Sequence, residues 1–335
     1  MSWEELISLE NIHRAWKNFF VGKQHKRDVV FFAHNIEFEL YSLHNELRQG
    51  IYHHGGYERF KVYDPKERTI HKATVRDRVV HRMLYNYLLP IFNPRWLDCS
   101  FSCRPGFGQR RSIFTVERAL FKISRNYTKI AWAVKCDIRR FFDSIDHEIL
   151  YRLLCRSVAD TNVRALLWKI ICSFSTEGNR GIPIGNLTSQ IFANTYLHGL
   201  DAFVKHQLKQ PFYFRYADDF ICLVDNKFAA EQFVNETRNW LARALSLELH
   251  PRKIVIRSTE WGIDWLGVVL FPGYRVLRPT TRRRIINNIQ SAVRDGEDIE
   301  TLQGTLASYA GLLQPVARKK IDENINQIVG LFTRL

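Results

Sequence analysis

Apolar residues recur along this chain in two rhythms: every three to four positions over long stretches, and as short continuous runs between them. The first is the rhythm of helices packed on one face, the second that of buried strands. Residues 1–50 follow the helical rhythm, with Trp3, Trp16, Phe19 and Phe20 among the apolar positions. A Gly-Gly break and a short extended stretch occupy Ile51 to Lys61. Extended residues lead to Lys72, after which Val80, Met83, Leu84, Tyr87 and Leu88 mark the inner face of a helix whose outer face carries Arg76, Arg78, His81 and Arg82. The run IAWAVKCDI predicts a buried strand that delivers Asp137 at its end. The chain then breaks across Asp143 to Asp146, with Asp146 placed to cap the next helix. Residues 161–208 read as helix, break and helix, the break being STEGNRGIPIGNLTSQ and the second helix turning Phe192, Tyr196, Leu200 and Phe203 inward. FYFRYADDFICLV, Phe212 to Val224, predicts a β-hairpin with Asp218 and Asp219 at its bend. An amphipathic helix over about 228–247 follows, then LELHPRKIVI and EWGIDWLGVVL as two extended segments, then three helices at roughly 280–294, 298–313 and 316–334.

Composition narrows the partners. The chain has 335 residues, 46% of them apolar, and 49 Lys and Arg against 34 Asp and Glu, a formal charge of +15. It can bury a sizeable core, and the excess of positive charge favours a polyanion, nucleic acid or an anionic membrane surface. Its apolar runs fall short of the roughly 20 residues a membrane span requires, and MSWEELISLE lacks the pattern of a signal peptide. A soluble, unsecreted protein without a membrane partner is expected. Six scattered cysteines, with neither a disulfide framework nor a zinc spacing, fit a reducing cytoplasm.

The chemistry lies in the carboxylates. Asp218 and Asp219 repel each other and face desolvation by the flanking strands, which costs several kcal/mol per truly buried ion unless a positive charge intervenes. A divalent metal supplies that charge, whereas a solvated turn is the plain alternative. Asp137, ending an apolar strand, is a third candidate ligand; Asp143 and Asp146 have ordinary turn and cap explanations. The Gly- and Arg-rich loop SFSCRPGFGQRR presents Arg104, Arg110 and Arg111 and suits phosphate, although a surface basic loop explains it equally. Gly181, Pro183 and Gly185 shape a turn before a helix N-terminus, where Asn186, Thr188, Ser189 and Gln190 can face a phosphate or a base or simply cap the helix. Arg282, Arg283 and Arg284 form one C-terminal basic cluster, and Arg318, Lys319 and Lys320 another; both suit a duplex backbone, bound without sequence preference and in a salt-sensitive way.

The order VKCDIRRFFDSIDH, GIPIGNLTSQ, YADD, HPRKIVI and DWLG resembles a reverse transcriptase from about residue 68 to about residue 272. That resemblance implies an α+β right-hand polymerase: an N-terminal helical extension at 1–67, fingers at 68–130 with 161–185 contributing, a palm of antiparallel sheet backed by helices at 131–274, and a three-helix thumb at 275–335. It implies two Mg2+ ions, replaceable by Mn2+, on Asp137, Asp218 and Asp219, with the Ile138 carbonyl as a further donor. Lys72 and Arg104 then contact the incoming dNTP from the fingers, Phe142 stands where an aromatic gate excludes a ribose 2′-OH, and Lys253 lies near the triphosphate as a general acid.

One departure points to a subfamily. Where most reverse transcriptases carry a glutamine before the turn glycine, this chain has Ile184 before Gly185, followed by Asn186, Ser189 and Gln190. The I-G-N-x-x-S-Q form is similar to that of diversity-generating retroelements, bacterial and phage systems that copy a template RNA with errors at adenines. The resemblance implies a template RNA, an RNA-DNA duplex, dNTPs and a small basic accessory protein oligomer as partners, in a bacterial or phage-encoded cytoplasmic protein. A retron or a group II intron-related enzyme is the alternative within this class. A catalytically silent nucleic-acid scaffold is the alternative outside it.

Overall fold

Burial on both faces explains why the central strands are nearly continuous in apolar residues. The computed structural model describes residues 1–63 and 67–294. Among these, β1 (Tyr57–Tyr63) and β2 (Glu67–Ala73) form an antiparallel hairpin. A four-stranded antiparallel sheet contains β3 (Trp132–Asp137), β4 (Tyr213–Tyr216), β5 (Asp219–Val224) and β6 (Val255–Ser258), in the order β4-β5-β3-β6. A third sheet joins β7 (Ile263–Trp265), β8 (Val268–Phe271) and β9 (Tyr274–Leu277). Helices fill the rest, so the architecture is mixed α+β.

The period of two along β3 sorts its residues between two cores. Val134 and Cys136 face the larger one, with Phe220 and Cys222 of β5, the Leu187–Ala202 helix and the Lys227–Leu245 helix. Ala133 faces the smaller, with Ile221, Leu223, the Gln109–Ile123 helix and the β7-β8-β9 sheet. Trp265 anchors that sheet, fully buried with its indole N–H donating to Ser112 Oγ at 3.0 Å. Asp146 caps the His147–Cys155 helix, accepting from the Ile149 N–H at 3.0 Å. Phe192, Tyr196, Leu200 and Phe203 are buried.

Two expectations are corrected. EWGIDWLGVVL is a short helical turn and then a hairpin, because Leu266 and Gly267 both take positive φ (47° and 86°), the signs that the first kind of tight two-residue hairpin turn, type I′, uses. LELHPRKIVI bends at its centre, where the Lys253 N–H donates to the His250 carbonyl at 3.1 Å, and only Val255–Ser258 is strand. Of the three C-terminal helices, Pro279–Arg294 is observed; those expected at 298–313 and 316–334, with Arg318, Lys319 and Lys320, lie outside the described residues.

Candidate active site

Strand register brings the carboxylates together. Asp137, last in β3, stands directly opposite Asp219, first in β5. Tyr216 pairs with Asp219 across β4 and β5, so the hairpin closes through a two-residue turn, Ala217 and Asp218. The Ile138 N–H donates to the Asp218 carbonyl at 3.3 Å. On its other side Ile138 bridges Leu249 in the non-hydrogen-bonded position, since the Asp137 carbonyl accepts from His250 and the Arg139 N–H donates to Glu248. The Ile138 main chain therefore lies between the turn that carries Asp218 and the segment at Leu249.

Burial and like charge dominate the electrostatics of the hairpin carboxylates. Asp218 is pushed up to about 6, first by burial and then by the charges of Asp219 and Asp137. Asp219 is raised by burial, with Asp137 adding to the effect and Lys135, Lys253 and Arg278 opposing it. Lys253 places Nζ 2.7 Å from Asp137 Oδ1. Among the described residues no group of three or more His, Cys, Asp or Glu side chains is arranged to hold a metal ion; the ammonium of Lys253 is the counter-charge of Asp137. A carboxylate whose pKa is raised binds more protons folded than unfolded between about 4 and 6, so this site destabilises the metal-free protein as pH rises through that range. A divalent ion is therefore expected to raise the melting temperature more at about pH 7.5 than at about pH 5.5, where a proton on Asp218 already competes with it; thermal melts with and without Mg2+ check this.

A groove of about 320 Å³ opens beside the triad, lined by Lys135, Asp137, Asp219, Arg252, Lys253 and Arg257 among others. Lys135 lies two residues before Asp137 and so on the same face of β3. A second pocket, of about 400 Å³, lies between the β1-β2 hairpin and the loop before the Leu187–Ala202 helix, with Arg59, Thr69, His71, Asp143, Phe174 and Ile184 in its wall. The loop is fastened to β2 at one residue. The His71 N–H donates to the Ile184 carbonyl at 3.0 Å, and the Asn186 amide donates to the His71 carbonyl at 2.8 Å. Gly185 permits this approach: its φ is +110°, and a Cβ there would meet Ile70 Cγ2 at 2.7 Å.

Asn186 thus occupies the N-cap position without a capping bond from its side chain, and its neighbours are also internal ties. Ser189 Oγ donates to the Pro183 carbonyl at 2.7 Å, and Thr188 Oγ1 lies 2.7 Å from His81 Nδ1; Gln190 is half-buried. Phe142 is half-buried, its ring against Phe141 at 5.4 Å, and its carbonyl accepts from the Ile182 N–H at 2.9 Å, which joins Phe142 to the same loop.

Two expected triphosphate contacts are placed elsewhere. The five N–H donors of Arg104 are all taken, by Asn93 Oδ1 and by the carbonyls of Asn93, Trp96, Leu97 and Ser100, so this guanidinium builds the loop rather than serving a ligand. Lys72 pairs with Asp28 at 2.9 Å and Glu58 at 3.1 Å. Register explains it, because Lys72 lies opposite Glu58 on one face of the hairpin while Arg59 lies opposite His71 on the face toward the pocket. Arg110 and Arg111 remain exposed, as do Arg282 and Arg283, with Arg284 half-buried beside them.

The family described as reverse transcriptase (RNA-dependent DNA polymerase) matches residues 63–270, more than half of the chain. Protein YkfC of Escherichia coli is 25% identical over 296 residues, covering 75% of each chain. The group II intron-encoded protein LtrA of Lactococcus lactis is 31% identical over 175 residues, half of this chain and 28% of LtrA. The apo telomerase of Candida tropicalis, truncated from its C-terminal domain, shares the fold with a TM-score of 0.50 at 11% identity, over 70% of this chain and 59% of that one. No helix among the described residues is long and apolar enough to cross a membrane.

Proposed function

The chain belongs to the reverse transcriptase family, and from that premise we propose that it makes cDNA on a template RNA by two-metal nucleotidyl transfer, within a diversity-generating retroelement. The carrying observation is the pairing of Asp137 with Asp219, with Asp218 beside them in the turn. Hard oxygen donors with unneutralised charge suit Mg2+, and Mn2+ as a substitute. Asp137, Asp218 and Asp219 would hold such ions, which would supply activation of a primer 3′-OH and charge stabilisation for the triphosphate.

The protein's own groups do the rest. Lys253 supplies positive charge beside the triphosphate and a proton for the departing pyrophosphate. Phe142 excludes the ribose 2′-OH. Arg59, on the pocket-facing side of the β1-β2 hairpin, takes the part first given to Lys72. That hairpin with the loop before Leu187 acts as fingers, the four-stranded sheet as palm and the helix from Pro279 as the start of a thumb, whose Arg282, Arg283 and Arg284 follow the duplex backbone. Template RNA, dNTPs and a small basic accessory protein complete the assembly.

Ile184 supports the retroelement assignment. An apolar branched side chain stands in the pocket wall where an amide would hydrogen-bond, so base-pair geometry is policed less strictly. Ile184→Gln is expected to lower the error rate at template adenines, read by sequencing the cDNA; an unchanged rate removes Ile184 as the cause. The match to LtrA favours a second reading, a group II intron-related enzyme. Sequencing the RNA that copurifies separates them: a repeat-linked template RNA or intron RNA.

A further inference from the structure

Arg215, two residues before the turn of the catalytic hairpin, is fully buried, and so is its partner Asp201 on the Leu187–Ala202 helix. Its five N–H donors are all engaged. Nε and Nη2 grip Asp201 at 2.8 and 2.7 Å, Nη2 also reaches Ser100 Oγ at 2.9 Å, and Nη1 meets Asn194 Oδ1 at 3.2 Å and the Ala217 carbonyl at 3.0 Å. Its main chain is held as well, donating to Cys99 at 2.7 Å and accepting from Phe101 at 2.9 Å.

Stability alone does not account for this arrangement, because a buried ion pair is often matched or bettered by apolar residues of similar volume. What the guanidinium alone can do is reach the Ala217 carbonyl while anchored on the helix and on the loop at Ser100. Ala217 has φ +54°, the left-handed conformation that the first residue of a tight two-residue hairpin turn takes, which costs an alanine strain that a bond to its carbonyl helps to hold. The next residue is Asp218.

We propose that Arg215 is a positioning residue for the metal-binding turn: anchored by Asp201, Asn194 and Ser100, it holds the Ala217 carbonyl and so aims Asp218 at Asp137 and Asp219. This rests on the triad's being the metal site. The loop that Arg104 organises thereby acquires a role, since Ser100 and Cys99 brace the hairpin from outside the sheet.

The test uses the full chain with the charges of the pair removed together, Arg215→Met with Asp201→Asn, the asparagine Oδ1 still able to accept from the Tyr213 hydroxyl that now donates to Asp201 at 3.0 Å. The expected result is a cooperative melt near that of the wild type, with Mn2+ affinity, measured by electron paramagnetic resonance, weakened about 10–100-fold. The Mg2+ concentration for half-maximal primer extension should rise in parallel, while the dNTP KM moves less. Arg215→Lys keeps the charge and loses the fork, so it should shift metal affinity in the same direction even if the double variant fails to fold. Metal affinity and Mg2+ dependence equal to wild type in a folded variant overturn the role of Arg215. A wild type that binds no Mn2+ instead overturns the metal-site reading beneath it.

Discussion

Asp218→Ala is expected to abolish DNA synthesis, lowering primer extension at least ~10³-fold, which corresponds to about 4 kcal/mol of lost transition-state stabilisation. The carboxylate lost is the one most strongly set against its surroundings, raised by burial, by Asp219 and by Asp137. Removing it relieves a repulsion as well as deleting a ligand. The metal-free variant is therefore expected to melt at or slightly above the wild-type temperature, while the stabilisation conferred by Mg2+ disappears. Extension assays and melts on the same preparation distinguish lost chemistry from a lost fold: a variant that retains synthesis, or one that unfolds, contradicts this account of Asp218.

The largest effect on stability is expected from Arg215→Met made alone. It strands the Asp201 carboxylate, fully buried, with the Tyr213 hydroxyl as its remaining side-chain donor. Breaking a buried pair from one side costs about 3–5 kcal/mol, because an uncompensated charge stays inside. Denaturant titration should show that loss, and Asp201→Asn added to the same chain should recover most of it. A single variant within about 1 kcal/mol of wild type shows that the pair is not the keystone its geometry implies.

Much of the site could be read from residue order because the physics is local. A carboxylate that ends an apolar strand, or sits at the bend of an apolar hairpin, is conspicuous without knowledge of its neighbours, and register then brought Asp137 opposite Asp219. The fingers contacts were not legible in this way. Which face of β2 carries Lys72 depends on its pairing with β1, and the fate of Arg104 depends on carbonyls that only the folded loop brings together. Hydropathy also missed the break in EWGIDWLGVVL, since two left-handed residues interrupt it without changing its apolar character. Arg215 left a readable sign, a lone guanidinium within FYFRY, but its partner lies on a helix whose approach the sequence does not announce. Lys135 was hidden by its run of apolar neighbours, although the strand period alone assigns it to the face of Asp137.

We infer RNA-templated DNA synthesis at the Asp137, Asp218 and Asp219 site. Its most direct test supplies the full chain, with the RNA that copurifies with it and a small basic accessory protein if one copurifies, with a primed RNA template, dNTPs and Mg2+. The predicted result is template-dependent extension that EDTA abolishes and Asp218→Ala lacks. No incorporation by the wild-type chain under these conditions, or equal incorporation by Asp218→Ala, would contradict it.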